Sequence, residues 1–334
     1  MKIKKYICPI ILVLVCFSSC KEGKQHQNIT QNQETTKHHF VSNFNEDSAY
    51  LFVKQQVDFG PRVPGTKAHE EAAEYLLGKL LKYADTAIIQ SFKARVYTGE
   101  IFDSKNIIGV FNPTNRKRIL LCAHWDSRPY ADHDPNPENK FTPIDGANDG
   151  ASGVGVILEI ARQLSILKPE IGVDIIFFDM EDYGTHKSKE DETTTGEEWA
   201  LGSQYWAKNP HTYGYKAFYG ILLDMVGAEN PVFLKEEYSM HFAPHVIENI
   251  WKTASNLGYK KYFPEEVGVP INDDHFYINY YAKIPTVNII HLDTSTLNGS
   301  FFEHWHTVED NISKIDPKSL KVVGDVVLTV VMNE

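Results

Sequence analysis

One short stretch near the middle of the chain constrains the fold more than any other. Ile175-Ile-Phe-Phe178 is an unbroken run of β-branched and aromatic side chains, and Asp179, Glu181 and Asp182 follow it before a turn at Gly184. A run of this kind predicts a strand buried on both faces, as in a parallel sheet. Because a buried carboxylate without a partner is costly, we expect the acids at the C-terminal end of that strand, where open α/β sheets bind their ligands.

The charge balance narrows the class of partner. With 44 acidic and 33 basic residues, the chain carries a formal net charge of −11, and no basic stripe overrides it. This argues against nucleic acids and anionic membrane surfaces as partners. The 334 residues and the 42% hydrophobic content are sufficient for a large core.

The N-terminus predicts export. Residues 1–19 form a predicted lipoprotein signal peptide, with a basic start at Met1–Lys5 and an apolar run, Tyr6–Phe17, that is too short to span a bilayer. Two serines directly before Cys20 resemble a bacterial lipobox, in which this cysteine becomes the lipidated first residue. An ordinary secretory signal cut nearby is the alternative. Residues 20–45 are polar and predict a flexible tether. We therefore expect a protein anchored in the bacterial cell envelope, touching the membrane only through its lipid.

The rest of the chain, 46–334, predicts one catalytic α/β domain. Strand patterns alternate with helical ones, which indicates a mixed, mostly parallel central sheet with helices on both faces. The predicted strands are 87–96, 105–111, 118–124, 173–178, 218–224 and 285–291. The predicted helices are 46–58, one that begins after a cap at Thr66, and 151–165, 243–257 and 315–332.

Several ends of these elements carry side chains that bind metals. The residues concerned are His124 and Asp126 after the third strand, Asp149 in a glycine-rich turn, Glu181 and Asp182 after the fourth strand, Asp224 at the end of the fifth, and His306 after the sixth. So many acids at one edge of a sheet would repel each other, and a divalent cation removes that repulsion. Imidazole and carboxylate ligands with almost no thiol suit Zn²⁺ in a catalytic site, which keeps three protein ligands and one open position.

The motifs resemble a known superfamily, and the resemblance runs in order through essentially all of residues 46–334. Five motifs resemble the zinc aminopeptidase superfamily with co-catalytic metals: Phe59–Gly65, Ala123–Ser127, Gly146–Gly153, Phe177–Asp182 and Trp305–Thr307. Four more are most similar to the animal-type glutaminyl-peptide cyclotransferases and their bacterial lipoprotein relatives: Leu201–Ser203, Leu223–Pro231, Asn272–His275 and Phe301–His306.

The resemblance implies a division of roles among the acids and histidines. It implies Asp149, Asp182 and His306 as the ligands of one zinc ion, Glu181 as the general acid/base, and Asp224 and Asp273 as a hydrogen-bonded carboxyl network beside it. Asp182 stands where the animal enzymes have a glutamate, so its shorter arm requires a small shift of the backbone.

The same resemblance implies a substrate pocket. Its predicted lining is Trp199, Phe301 and Trp305, with His275 at the edge. The loop between Asp182 and Trp199 differs from the loop of the animal enzymes, so Trp199 depends on a segment that the resemblance does not cover.

The implied activity is cyclisation of an N-terminal glutamine to pyroglutamate with release of ammonia, on peptides or exported proteins. One alternative is a two-zinc aminopeptidase that hydrolyses N-terminal residues, in which His124 and Asp224 complete a second metal site with Asp149 as the bridge. A further alternative is a binding lipoprotein without catalysis, against which the intact Glu181 argues.

Overall fold

The computed structural model describes residues 40–191, 194–296 and 298–334. The predicted signal peptide, the lipidated Cys20 and the tether up to residue 39 lie outside these residues.

The described residues form a single mixed sheet of six strands in the order β1-β2-β4-β3-β5-β6. The strands are β1 Thr86–Arg95, β2 Ile101–Phe111, β3 Arg118–His124, β4 Gly172–Phe178, β5 Gly220–Asp224 and β6 Thr286–Ile290. Strand β4 pairs parallel with β3, β3 with β5 and β5 with β6, whereas β1 pairs antiparallel with β2 and β2 with β4. The predicted sheet is confirmed, and β2 begins at Ile101 rather than at 105.

Helices cover both faces of this sheet, as predicted. They are α1 Glu46–Val57, α2 Lys67–Tyr83, α3 Ala151–Leu167, α4 Leu201–Lys208, α5 Glu237–Phe242, α6 Pro244–Asn256, α7 Asp274–Tyr277 and α8 Pro317–Met332. The sequence missed α4, α5 and α7, because eight residues or fewer are too short for a clear helical period. Among the residues described, no helix combines the length and the apolar character needed to cross a membrane.

Strand β4 separates two hydrophobic clusters. Ile175 and Phe177 pack into the larger cluster, which includes residues of α1, α2, α3, α6 and α8. Ile176 and Phe178 face the smaller one, which includes Trp206 of α4. Period-2 alternation across a doubly covered sheet therefore explains why this strand is apolar on both sides.

One acid does lie within β4. Asp174 is fully buried, and its carboxylate accepts two hydrogen bonds of 2.7 Å from Arg118 at the start of β3 and one of 2.7 Å from the Tyr215 hydroxyl. The bidentate ion pair with Arg118 compensates for the cost of burying the Asp174 carboxylate inside the strand.

The folded part begins earlier than the sequence predicts. Phe44 is buried against α8, where a side chain on Gly324 would overlap its ring. Ser42 Oγ donates to Asp325, and Gln163 Nε2 donates to the Asn43 carbonyl. The last residues of the predicted tether, 40–45, therefore pack on the domain.

Candidate active site

Parallel strands bring the predicted residues to one edge of the sheet. His124 ends β3, Asp224 ends β5 on one side of it, and Glu181 and Asp182 follow the end of β4 on the other side. In a parallel arrangement these C-terminal ends meet at the same edge. The structure places these acids and His124 at that edge.

A tight turn delivers Asp149 to this edge. Gly150 has a φ of +87°, and a Cβ on it would lie 2.8 Å from the His124 ring, so only glycine fits between this histidine and the start of α3. Asp310 holds the turn from the other side by accepting the main-chain N–H groups of Asn148 and Asp149 at 2.8 and 3.0 Å. The position of the Asp149 carboxylate is thus fixed by its backbone.

A second buried acid fixes Glu181 and Asp182. Asp126 is fully buried, and its two oxygens accept the N–H groups of Glu181 and Asp182, each at 3.1 Å. Met180, just before them, has a φ of +61°, a strained value for a residue with a side chain. Asp179 serves the structure, as the sequence predicts, because it accepts from the main chain of Lys105 at 2.7 Å and pairs with His69.

Three buried side chains converge as a candidate metal site. His306 Nε2 lies 3.1 Å from Asp182 Oδ1 and 3.5 Å from Asp149 Oδ2, and one ligand atom from each residue lies within 4.8 Å of the others. Asp149 Oδ2 and Asp182 Oδ2 are buried without a hydrogen-bond partner in the described part of the chain. Two orphaned carboxylate oxygens beside an imidazole nitrogen fit a divalent cation, and this donor set suits zinc with one open position.

The far side of His306 is held by a charged pair that the sequence did not predict. Arg128 donates two hydrogen bonds, of 2.9 and 2.5 Å, to the Asp132 carboxylate. Asp132 Oδ1 lies 3.6 Å from His306 Nδ1. Burial alone would raise the pKa of Asp132, but Arg128 and His306 outweigh burial and hold that pKa far below its usual range. At 3.6 Å the Asp132 carboxylate acts on the second nitrogen through its charge and not through a hydrogen bond, and a nearby anion strengthens the imidazole as a ligand.

A second group of possible ligands shares Asp149. His124 Nε2 lies 3.0 Å from Asp149 Oδ1 and 3.4 Å from Asp224 Oδ1, and these three side chains also place their atoms within 4.8 Å of one another. The structure therefore brings together both the predicted triad and the alternative second site.

Glu181, Asp224 and Asp273 line a cavity of about 460 Å³, and the triad of Asp149, Asp182 and His306 lines the same cavity. Burial and the nearby Asp273 and Asp182 raise the pKa of Glu181 well above its ordinary value, against the opposing charge of His124. Burial, with Asp149 and Asp273, raises the pKa of Asp224 to about 7. Asp224 is therefore able to hold and release a proton near neutral pH, and the protonated form of Glu181 is favoured over that of an ordinary glutamate.

The predicted hydrogen-bonded pair of Asp224 and Asp273 is corrected by the structure. Asp273 Oδ2 accepts from Asn288 Nδ2 at 2.6 Å, and its Oδ1 accepts the Asp274 main-chain N–H. The two acids thus influence each other by charge repulsion rather than by a direct hydrogen bond. Asn288 lies on β6, a contact that no local pattern in the sequence announces.

Aromatic rings wall the cavity. The Trp305 ring stacks on His306 with 3.9 Å between centroids, and Phe301 packs 4.6 Å from Trp305. Trp199 lies parallel to His306 at 6.1 Å, and the guanidinium of Arg128 sits 4.5 Å over its ring. All three predicted aromatic residues line the cavity. They give the cavity an apolar wall beside the candidate ligands.

His275 is not at the edge of the pocket, contrary to the sequence expectation. Its side chain is fully buried, and Nε2 lies 3.0 Å from Glu236 Oε2. Glu236 also accepts the main-chain N–H of Ile271 at 2.9 Å, and Ile271 does line the cavity. The histidine therefore supports the wall from behind, because α7 turns it away from the cavity and towards α5.

The sequence missed several residues that hold the site: Arg128, Asp132, Glu236 and Asp310. Asp132 lay in a stretch with prolines and other polar residues that indicated a solvated loop. The one available signal was an acid four residues after an arginine, which is too common to carry weight. The site residues that they contact are distant in sequence, so only the fold shows these contacts.

The fold and the site together define a class of metal-dependent hydrolase-like enzymes, with acids and imidazoles at the C-terminal edge of a mixed sheet. The family model of peptidase family M28 matches residues 106–331, and the chain belongs to this family.

Two solved structures are similar over 88% of this chain. The first is the Bacteroides thetaiotaomicron glutaminyl cyclase bound to N-acetylhistamine, with 51% identity, a TM-score of 0.86 and 100% of that chain covered. The second, described as a leucine aminopeptidase precursor from Bacteroides thetaiotaomicron, has 50% identity, a TM-score of 0.84 and 99% of that chain covered. The glutaminyl-peptide cyclotransferase of Gloydius blomhoffii is 30% identical over 243 residues, 64% of this chain. The matched stretch spans 61% of that relative's own length.

Proposed function

We propose that this protein cyclises the N-terminal glutamine of peptides and proteins to pyroglutamate and releases ammonia. The observation that carries the proposal is the group of Glu181, Asp224 and Asp273 in an aromatic-walled cavity directly beside the triad of Asp149, Asp182 and His306. Proton transfer groups and a site for a polarising cation thus face one small volume. The similarity to solved glutaminyl cyclases supports the same activity.

The proposed reaction is intramolecular. The α-amine of the glutamine attacks the carbon of its own γ-carboxamide, a carbon–nitrogen bond forms, and the amide nitrogen leaves as ammonia. Because the nucleophile and the electrophile are already joined, the protein gains more from charge stabilisation and proton transfer than from proximity.

Glu181 takes the proton of the attacking amine and delivers it to the leaving nitrogen. Its raised pKa suits both steps, because it makes the carboxylate a stronger base towards the amine and keeps the protonated form available as an acid. Asp224 and Asp273 line the same cavity, and repulsion among the three acids favours the protonated form of at least one of them. Trp199 and Trp305 exclude water that would compete with the amine.

One zinc ion on Asp149, Asp182 and His306 is part of the proposal. When bound, zinc supplies a Lewis acid that polarises the amide carbonyl. A metal analysis on the pure protein gives the number of ions, for which we expect one per chain. Two ions per chain would favour the aminopeptidase alternative, with His124 and Asp224 in the second site.

The test of the function compares two substrates and two variants. We expect the purified protein to release ammonia from Gln-initiated peptides and to release no leucine from leucine p-nitroanilide. Glu181→Gln keeps the shape of the side chain but cannot transfer the proton, and should lower kcat at least 100-fold while zinc stays bound. Glu100→Gln is the matched control, because Glu100 is exposed in the turn that connects β1 to β2. Leucine release without ammonia would overturn the proposal.

The proposed location and substrates follow from the N-terminal prediction. An enzyme tethered through Cys20 in the cell envelope would meet newly exported proteins whose mature N-terminus is glutamine. Radiolabelled palmitate incorporation into the full chain, compared with Cys20→Ala, tests the anchor.

A further inference from the structure

An exposed apolar segment leads away from the cavity. Val269, Pro270 and Ile271 line the cavity, and Val267 lies two residues before Val269 in the chain. The side chains of Val267 and Val269 are 60% and 45% exposed, which places them among the exposed large hydrophobic residues of the described chain. We call Val267–Ile271 the apolar ridge.

The ridge has one face packed and one face free. A Cβ on Gly268 would lie 2.8 Å from Leu292 and 3.1 Å from Leu234, so this residue faces inward. In an extended segment the neighbouring side chains point the opposite way, and Val267 and Val269 therefore point outward together. Two outward valines, about 7 Å apart along an extended chain, continue the apolar wall of the cavity across the surface.

The backbone of the ridge forms main-chain hydrogen bonds on one side only at Val267. Lys235 N–H donates to the Glu266 carbonyl at 2.9 Å, and Gly268 N–H donates to the Lys235 carbonyl at 2.8 Å. These bonds form a parallel bridge on one side of Val267. On its other side, the N–H and C=O of Val267 have no hydrogen-bond partner within residues 40–191, 194–296 and 298–334. Such a free edge is able to pair with an extended peptide.

We propose that the apolar ridge binds the substrate residues that directly follow the N-terminal glutamine, in extended form and with a preference for apolar side chains. This rests on the proposed function, because the glutamine itself must fill the cavity and its chain must then leave over the rim. Glu190 at the cavity and the exposed Glu266 add negative charge to the same rim. Acidic residues at the second to fourth positions are therefore disfavoured.

The first experiment scans the peptide. The parent is the amide of Gln-Gly-Gly-Gly, and leucine or glutamate replaces one glycine at a time. We expect leucine at one or more of these positions to raise kcat/KM about 3- to 10-fold, and glutamate to lower it. Values within twofold of the parent for leucine at every position would overturn the proposal.

The second experiment changes the ridge. Val267→Thr and Val269→Thr keep the shape of the side chain and add a hydroxyl, so each should reduce the preference for leucine over glycine at least threefold. Val41→Thr is the matched control, since this valine is 76% exposed and lies before α1. A leucine preference that survives in both ridge variants contradicts the proposal.

A third measurement tests the free backbone edge without altering the protein. N-methylation of the parent peptide at the backbone nitrogen of its third or its fourth residue removes one donor. At one of these two positions kcat/KM should fall at least fivefold. Equal rates for both methylated peptides and the parent would contradict the pairing. If the parent peptide releases no ammonia, the proposed function and the ridge both fail. If it reacts but leucine brings no gain, only the ridge is overturned.

Discussion

Asp126 provides the most demanding test of how the site is built. It lies two residues after the end of β3, is fully buried and is not among the residues that line the cavity. Its two oxygens nevertheless accept the N–H groups of both Glu181 and Asp182. Asp126→Asn keeps the size of the side chain but leaves only one acceptor oxygen. One of the two main-chain N–H groups then faces an amide NH₂.

The magnitude follows from these two hydrogen bonds. A hydrogen bond to a charged group contributes about 1.5–3 kcal/mol, and a buried N–H without a partner costs about 1–3 kcal/mol. The neutral amide also removes the cost of burying a carboxylate, which offsets part of the loss. We therefore expect Asp126→Asn to lower the free energy of unfolding by about 2 kcal/mol. Since the shifted backbone carries Asp182, zinc binding should weaken by about 10- to 100-fold.

The assay combines urea unfolding of the zinc-loaded and zinc-free protein with zinc competition against a chelator of known affinity. Asp103→Asn is the control, because Asp103 is an exposed acid on β2 that pairs with the exposed Lys93 and is not among the residues that line the cavity. A change below 0.5 kcal/mol together with unaltered zinc affinity would refute the role that we assign to Asp126, since the magnitudes above exclude so small an effect.

Three further predictions concern groups around the site. Burial would raise the pKa of Glu236, but His275 and the hydrogen bonds from Ser239 and Ile271 outweigh it and hold that pKa at about 2. Glu236→Gln should therefore remove about 3 kcal/mol of stability at neutral pH, and the wild type should lose the same amount in urea unfolding as the pH falls from about 4.5 to 2. Burial lowers the pKa of His291 to about 4, so the folded protein favours the neutral imidazole. The free energy of unfolding should fall by about 3 kcal/mol as the pH drops from 6.5 to 4, and His291→Asn should reduce this dependence on pH. Arg128→Lys loses the bidentate grip on Asp132, and chelator competition should show zinc binding weakened about tenfold.

Local patterns were enough to predict the elements and the site edge. Ile175 to Phe178 had to be a strand because both of its faces are apolar, and the acids after it had to lie beyond its end because the core excludes unpaired charge. Once β3, β4 and β5 run parallel, their C-terminal ends must meet. For this reason the sequence predicted that Asp149, Asp182 and Asp224 would be neighbours.

The contacts that orient those side chains had no local signal. His306 and Asp132 are 174 residues apart, and nothing in either segment predicts that Arg128 would hold the acid against the ring. His275 carried a family-like motif, yet the short α7 turns it inward onto Glu236. Side-chain direction at such positions depends on where loops cross and on which helix packs behind them.

The sequence by itself thus determined the strands, the longer helices and the edge where the acids and histidines collect, because hydrophobic period is a local property. The order of the strands and the short helices α4, α5 and α7 came from the tertiary structure. Only the tertiary structure decided which oxygens remain without partners for a cation, which acids share a cavity, and which residues merely support its wall. Those outcomes depend on distances of 3 to 4 Å between segments far apart in the chain, and such distances are set by packing of the whole domain.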